Sequence, residues 1–246
     1  MGNQDWVQPT LKLAASGALQ TLLIAVVAVV LSIVMGLILG VLLCLPRGRW
    51  TNPVRWLLTA YLQLFRGLPV LVTLFIVFFV SPSIGLGFTS TLATIVGLTL
   101  WGSANVMEVA RGAVKSIPTA QFEAVTALGF GWAASMRLVI LPQAQRRMIP
   151  PVVNLTVDLI QATTLASLIG VVEVLQRSQQ SVEFLQLSEG NGHAAPIFGG
   201  VLLFFFAICF PLTLLARYVE RRRTNEPNRP GRRPSKNVTA TTTPAV

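Results

Sequence analysis

The sequence predicts an all-α membrane protein of five transmembrane helices, and three observations predict it. Over its 246 residues the chain is 53% hydrophobic and only 11% charged, against about 25% charged for a soluble domain. Its uncharged runs are long enough to cross a bilayer, which takes about 20 apolar residues per helix. Its basic residues fall almost entirely on one side of those runs. The net charge of +10 could suggest nucleic acid. That function needs a basic face with base-reading or stacking groups, whereas here the cations lie between apolar runs and in the tail, so no nucleic-acid partner is expected.

Residues 13–46 contain no charge and predict the first span, about 18–45. Residues 1–17 lack a basic n-region, so this run reads as a retained span with an external segment before it, not as a cleaved signal. The next uncharged run, 67–107, is too long for one helix and is broken by "SPSIGLG" at 81–87. Two spans follow, about 56–80 and 89–113, with a fourth at about 150–172 and a fifth at about 196–218. Of 19 lysines and arginines, only Lys12 and Arg177 fall outside if the N-terminus is outside, leaving 17 inside. The positive-inside rule therefore predicts an N-out, C-in topology. Residues 116–149 become a cytoplasmic loop and 173–195 an external one, and the basic, Pro/Thr-rich residues 219–246 read as a disordered cytoplasmic tail.

Cys44 and Cys209 both sit in apolar runs and read as small buried hydrophobes. Gly36 and Gly40 form a G-x-x-x-G pair that suits close helix packing. No metal-ligand spacing is present, and the single histidine, His193, falls in the external loop.

The cytoplasmic loop carries the most specific pattern. "SIPTAQFEAVTALG" predicts a helix with Pro118 at its start and Gly129 as a left-handed cap. "WAASMRLVI" predicts a second short helix, ended by Leu141-Pro142 because the residue before proline is pushed out of helical geometry. Trp132, Met136 and Val139 then share a face. Such a piece could dock in a cytoplasmic partner's groove or lie on the headgroups as an interfacial helix.

Residues 123–142 resemble the EAA loop of ATP-binding-cassette (ABC) permeases: Glu-Ala-Ala, three residues, Gly, nine residues, Ile, one residue, Leu-Pro. Glu123-Ala124 is followed by Val125, then Gly129, Val139 and Leu141-Pro142 at the matching offsets. "RGLP" (66–69), "EVARGAVKSIPTAQFEA" (108–124) and "ILPQAQRRMIPPVVN" (140–154) are similar to segments of the polar amino-acid uptake permeases. The resemblance runs over about residues 15–218 and implies a type I importer permease fold. It also implies separate ABC ATPase subunits, a second permease, identical or homologous, and an extracytoplasmic amino-acid-binding protein. The chain has no G-x-x-x-x-G-K-[ST] phosphate loop. No cofactor or catalysis is expected in it, and ATP with Mg would act on the partner ATPase. The resemblance assigns Glu123, Ala124, Gly129, Gly131, Trp132, Met136, Val139, Leu141 and Pro142 to the coupling loop. Glu123 could equally serve only to brace the loop through a nearby arginine.

Polar groups inside predicted spans are functional candidates. Asn105, Glu108, Asp158, Gln161, Thr163 and Thr164 either line a hydrophilic path for an amino acid or form helix–helix hydrogen bonds. Where the family carries Lys-x-Thr-Ser-Leu, this chain has Gln161-Ala162-Thr163-Thr164-Leu165, without the lysine. Two rival readings remain at this stage. One is a stand-alone ion-coupled carrier or channel, and the other a non-transporting assembly subunit.

Overall fold

A computed structural model describes residues 6–224. Its regular elements are all helical. The long helices are α1 (Val7–Leu43), α4 (Ser90–Lys115), α7 (Leu141–Ala162) and α9 (Ala194–Thr224). Between them lie α2 (Thr51–Gly67), α3 (Val70–Val80), α5 (Thr119–Ala127), α6 (Trp132–Ser135) and α8 (Val174–Glu189). Among the described residues, four helical segments are long and apolar enough to cross a membrane, and the bent α2–α3 pair makes a fifth if it is one span.

The centre of the bundle is the α1–α4 seam. A Cβ on Gly36 would stand 2.4 Å from Val106 Cβ, and one on Gly40 would stand 2.6 Å from Ala110 Cβ. Those are impossible separations, so both positions must be glycine for the helices to lie this close, and the G-x-x-x-G pair is a packing device. Around the seam, Ile24, Leu74, Leu98, Val106 and Leu159 form the main core. Much of α1 and α9 turns large apolar side chains outward, among them Leu19, Val26, Ile38, Leu202, Leu203 and Phe206. An apolar surface this extensive suits lipid and not water.

Three boundaries depart from the sequence expectation, each for a backbone reason. The predicted span 56–80 is two helices meeting at 109°. Leu68 adopts extended geometry (φ −89°, ψ 137°) because it precedes Pro69. The predicted fourth span does not begin at residue 150. Pro150 and Pro151 lie inside α7, and the helix continues back through a π-helical turn, Met136–Ile140, into α6. Leu141-Pro142 therefore starts a helix instead of ending one. Pro142 lacks the N–H that would complete an α-helical ladder, and the wider π register lies immediately before it. A 3₁₀ turn, Thr163–Ile169, closes the rod at its far end.

The predicted external loop 173–195 contains α8, which the sequence reading missed. Val174, Ser178, Ser181 and Leu185 are its buried face, and two of these four are serine, which hid the apolar periodicity. Glu173 caps it: its carboxylate accepts from the backbone N–H of Leu175 and Gln176, both at 2.9 Å, and is fully buried. Thr21 of α1 reaches the same carboxylate at 3.4 Å and accepts from Val174 N–H at 3.1 Å, which ties α8 to α1. The segments 1–5 and 225–246, which include most of the predicted tail, lie outside the described residues.

Candidate coupling loop and polar path

The loop after α4 is built by short-range hydrogen bonds. Helix α5 ends in a Schellman turn: Gly129 N–H donates to Thr126 O at 3.0 Å and Phe130 N–H to Val125 O at 3.1 Å. Gly129 sits at φ +78°, the left-handed region that glycine enters without a Cβ penalty. Chain direction reverses there, and Gly131 leads into α6. The turn is pinned to the bundle at two points. Arg147 of α7 donates to the Ser116 carbonyl and, at 2.9 Å, to its hydroxyl, which closes the end of α4. Gln143 donates to Gln121 at 3.4 Å across the loop.

Which side chains the loop presents differs from the sequence expectation. Met136 is only 4% exposed and packs with Val114, Ile117, Ile140 and Met148, with Trp132, Val139 and Leu141 against them. The expected shared face exists, but it is the face that glues the loop to α4 and α7. These groups face inward, while Leu128 (74% exposed), Phe130, Arg137 and Leu138 (62%) are exposed. Glu123 and Ala124 are also exposed. Among the described residues Glu123 forms no ion pair, so no arginine braces it.

The six intramembrane polar residues do not converge on one cavity. Asn105 Nδ2 donates to Trp101 O at 2.8 Å, Thr164 Oγ1 to Gln161 O at 2.8 Å, and buried Thr163 Oγ1 to Ile160 O at 2.7 Å. Each of these donors is engaged by its own helix backbone. Asp158 is exposed on α7. Gln161 lines a cavity of about 270 Å³ between α7 and α9, with Cys209, Thr213 and Arg217. Glu108 lines a separate one of about 610 Å³, among α1, α2, α4 and α5. There its carboxylate clasps Arg111, with Arg111 Nε at 2.7 Å and a second close contact from the same guanidinium, and Arg66 stands at 3.7 Å. The polar stripe of α2 that feeds this cavity was not singled out in the sequence, although Arg55, Thr59, Gln63 and Arg66 recur at helical spacing. Among the described residues no cluster of three His, Cys, Asp or Glu could hold a metal ion.

A helical bundle with a pinned, outward-turned loop at one end has clear counterparts. The family model described as the binding-protein-dependent transport system inner membrane component matches residues 32–225. The chain belongs to that family. The permease is 34% identical over 168 residues to a probable glutamine ABC transporter permease of Bacillus subtilis (strain 168), covering 68% of this chain and 76% of that one. It is 32% identical over 223 residues to the glutamine transport system permease of Escherichia coli (strain K12), covering 89% and 97%. Against a probable amino-acid ABC transporter permease of Bacillus subtilis the identity is 40% over 126 residues, about half of each chain (51% and 56%). Among solved structures, an amino acid ABC transporter with histidines superposes with a TM-score of 0.75 at 24% identity, over 90% of the permease and 99% of that chain. A methionine ABC transporter in inward-facing conformations gives 0.69 at 22% identity over the same shares. At these identities the likeness is one of fold. The permease is thus an inner-membrane transport component and not an enzyme.

Proposed function

We propose that this chain is the permease subunit of an ABC importer for polar amino acids, working with separate ATPase subunits, a second permease and a substrate-binding protein. The relatives named for amino acids and glutamine support the substrate class. An N-out, C-in orientation places residues 116–149 in the cytoplasm, where ATP with Mg on the ATPase subunits would act.

The observation that carries the mechanism is the split character of the loop. Its inner face, Met136 with Trp132 and Val139, is fused to α4 and α7, while Leu128, Phe130 and Leu138 are exposed. Exposed apolar groups on a short rigid helical turn suit a groove on another protein. Once docked, the loop is displaced as the ATPase pair closes, and its fused face passes that displacement to the bundle. The permease is then driven between two states by the ligand that biases one of them.

The test uses the assembled transporter. Asp in place of Gly129 must occupy the left-handed region at a modest cost and puts a charge at the turn. For Gly129→Asp and for Leu138→Asp we expect wild-type expression with ATPase turnover that no longer responds to substrate-loaded binding protein. Full stimulation in both variants would show that this loop does not couple. Transport by the chain alone, without ATP, would instead restore the stand-alone carrier.

A further inference from the structure

We infer that the cavity of about 610 Å³ between α1, α2, α4 and α5 is a binding site for a phosphate-bearing anion, supplied by an inner-leaflet phospholipid headgroup or as free phosphate. Arg55, Arg66, Arg111 and Lys115 converge on it from two helices, with Glu108 the one carboxylate. Glu108 is committed to Arg111. Arg55 spends one nitrogen on the Leu43 carbonyl at 2.8 Å and on that of Leu45. Lys115 makes no hydrogen bond or ion pair among the described residues. The cavity is therefore positive and holds donors free to meet a doubly accepting oxyanion, the geometry that arginine forks recognise.

A general inside-positive bias puts cations on a surface but does not gather them into one concave volume. Two further features favour phosphate of lipid origin. The cavity lies at the ends of α1 and α4, the level of the inner headgroups in the C-in orientation, where basic pockets between helices hold anionic lipids. On the same α2, Trp56 and Leu57 are strongly exposed and would meet the acyl chains. Phe122 of α5 also lines the cavity. An anion held there touches the first helix of the coupling loop, so occupancy should change how strongly the ATPase answers to substrate.

This inference rests on the orientation proposed above, and the two are separable. The complete transporter would be purified and reconstituted into nanodiscs of neutral phosphatidylcholine, with and without phosphatidylglycerol, at constant ionic strength. Retained phosphatidylglycerol would be read by native mass spectrometry and ATPase stimulation by turnover. We expect Arg66→Gln combined with Lys115→Gln to lower retention and the lipid response about tenfold, while Arg49→Gln, a cation outside the cavity, leaves both unchanged. Wild-type co-purification of the ATPase subunits reports that the double variant is folded. A response to inorganic phosphate in neutral discs, lost in the double variant, supports the same site with a free anion as its ligand. Equal effects of the double variant and Arg49→Gln, or no response to either anion source, overturn the site. Labelling of Lys115→Cys by an impermeant thiol reagent from the outer side, in a background with Cys44 and Cys209 replaced by alanine, would overturn the orientation alone.

Discussion

Glu173 shows how much one residue can organise. Burial pushes its carboxyl up from the ordinary range, and the N–H groups of Leu175 and Gln176 and the Thr21 hydroxyl pull the other way. The net direction is upward. A raised folded-state pKa contributes stability that is present below the unfolded value and lost as pH rises through the folded one. The protein should therefore gain stability as pH falls from neutral toward the ordinary glutamate range. Glu173→Gln keeps an acceptor for the cap and removes the charge, so it should flatten that dependence. Thermal unfolding of both proteins in detergent across that interval checks it, and parallel curves would show that another group is responsible. Gly129 is the residue-scale counterpart that the sequence did expose, since a glycine at a helix end has a short-range explanation in the Schellman turn. Glu173 had no such signature: nothing in the run Val171-Val172-Glu173-Val174-Leu175 says that α1 covers its acid.

At the scale of elements, long uncharged runs were enough to find most of the long helices. The boundaries failed at prolines, because a proline's effect depends on what register the neighbouring turn takes up. Pro69 breaks its helix as expected of its predecessor's geometry, whereas Pro142 opens α7 and Pro150 and Pro151 are carried inside it. The loop face was legible as a set, Trp132, Met136 and Val139, but its direction was not, since a hydrophobic stripe does not say whether it faces its own bundle or a partner. The six polar path residues were found by type and separated by position. Element ends also carry stability. Arg55 closes the orphan carbonyls at the end of α1, a site where a cation also opposes the helix dipole. Arg55→Ala should cost about 1–2 kcal/mol, with Arg55→Lys recovering part of it. Denaturation midpoints of the two variants would settle this, and equal values for alanine and wild type would rule out the cap.

For the whole molecule, the tightest constraint is the α1–α4 seam. A side chain at Gly36 or Gly40 cannot be absorbed by rotamer change, because its first atom already collides with Val106 or Ala110. Gly36→Val should force the two helices apart and cost about 1–3 kcal/mol or more. It should appear as lost yield and earlier aggregation on heating, whereas Gly112→Ala, where an added Cβ meets nothing within 4 Å, should be neutral. If both behave alike, the seam is not what limits stability.

The unbroken path of helix from Trp132 to Ile169 has a mechanical meaning. At 1.5 Å per residue it is about 55 Å long, more than the thickness of the hydrocarbon layer. It is packed along its length, with Ala144 and Met148 against α4, Leu159 in the main core and Ile160 beside Cys209 of α9. A continuous helical rod can carry a push at one end to the packing around the other. Among the described residues, the π turn Met136–Ile140 is a wide-register joint near its Trp132 end. Under the proposed coupling, stroke and stiffness would be set by this single stretch of chain, with a push received near Trp132 and carried to the 3₁₀ turn beside Gly170.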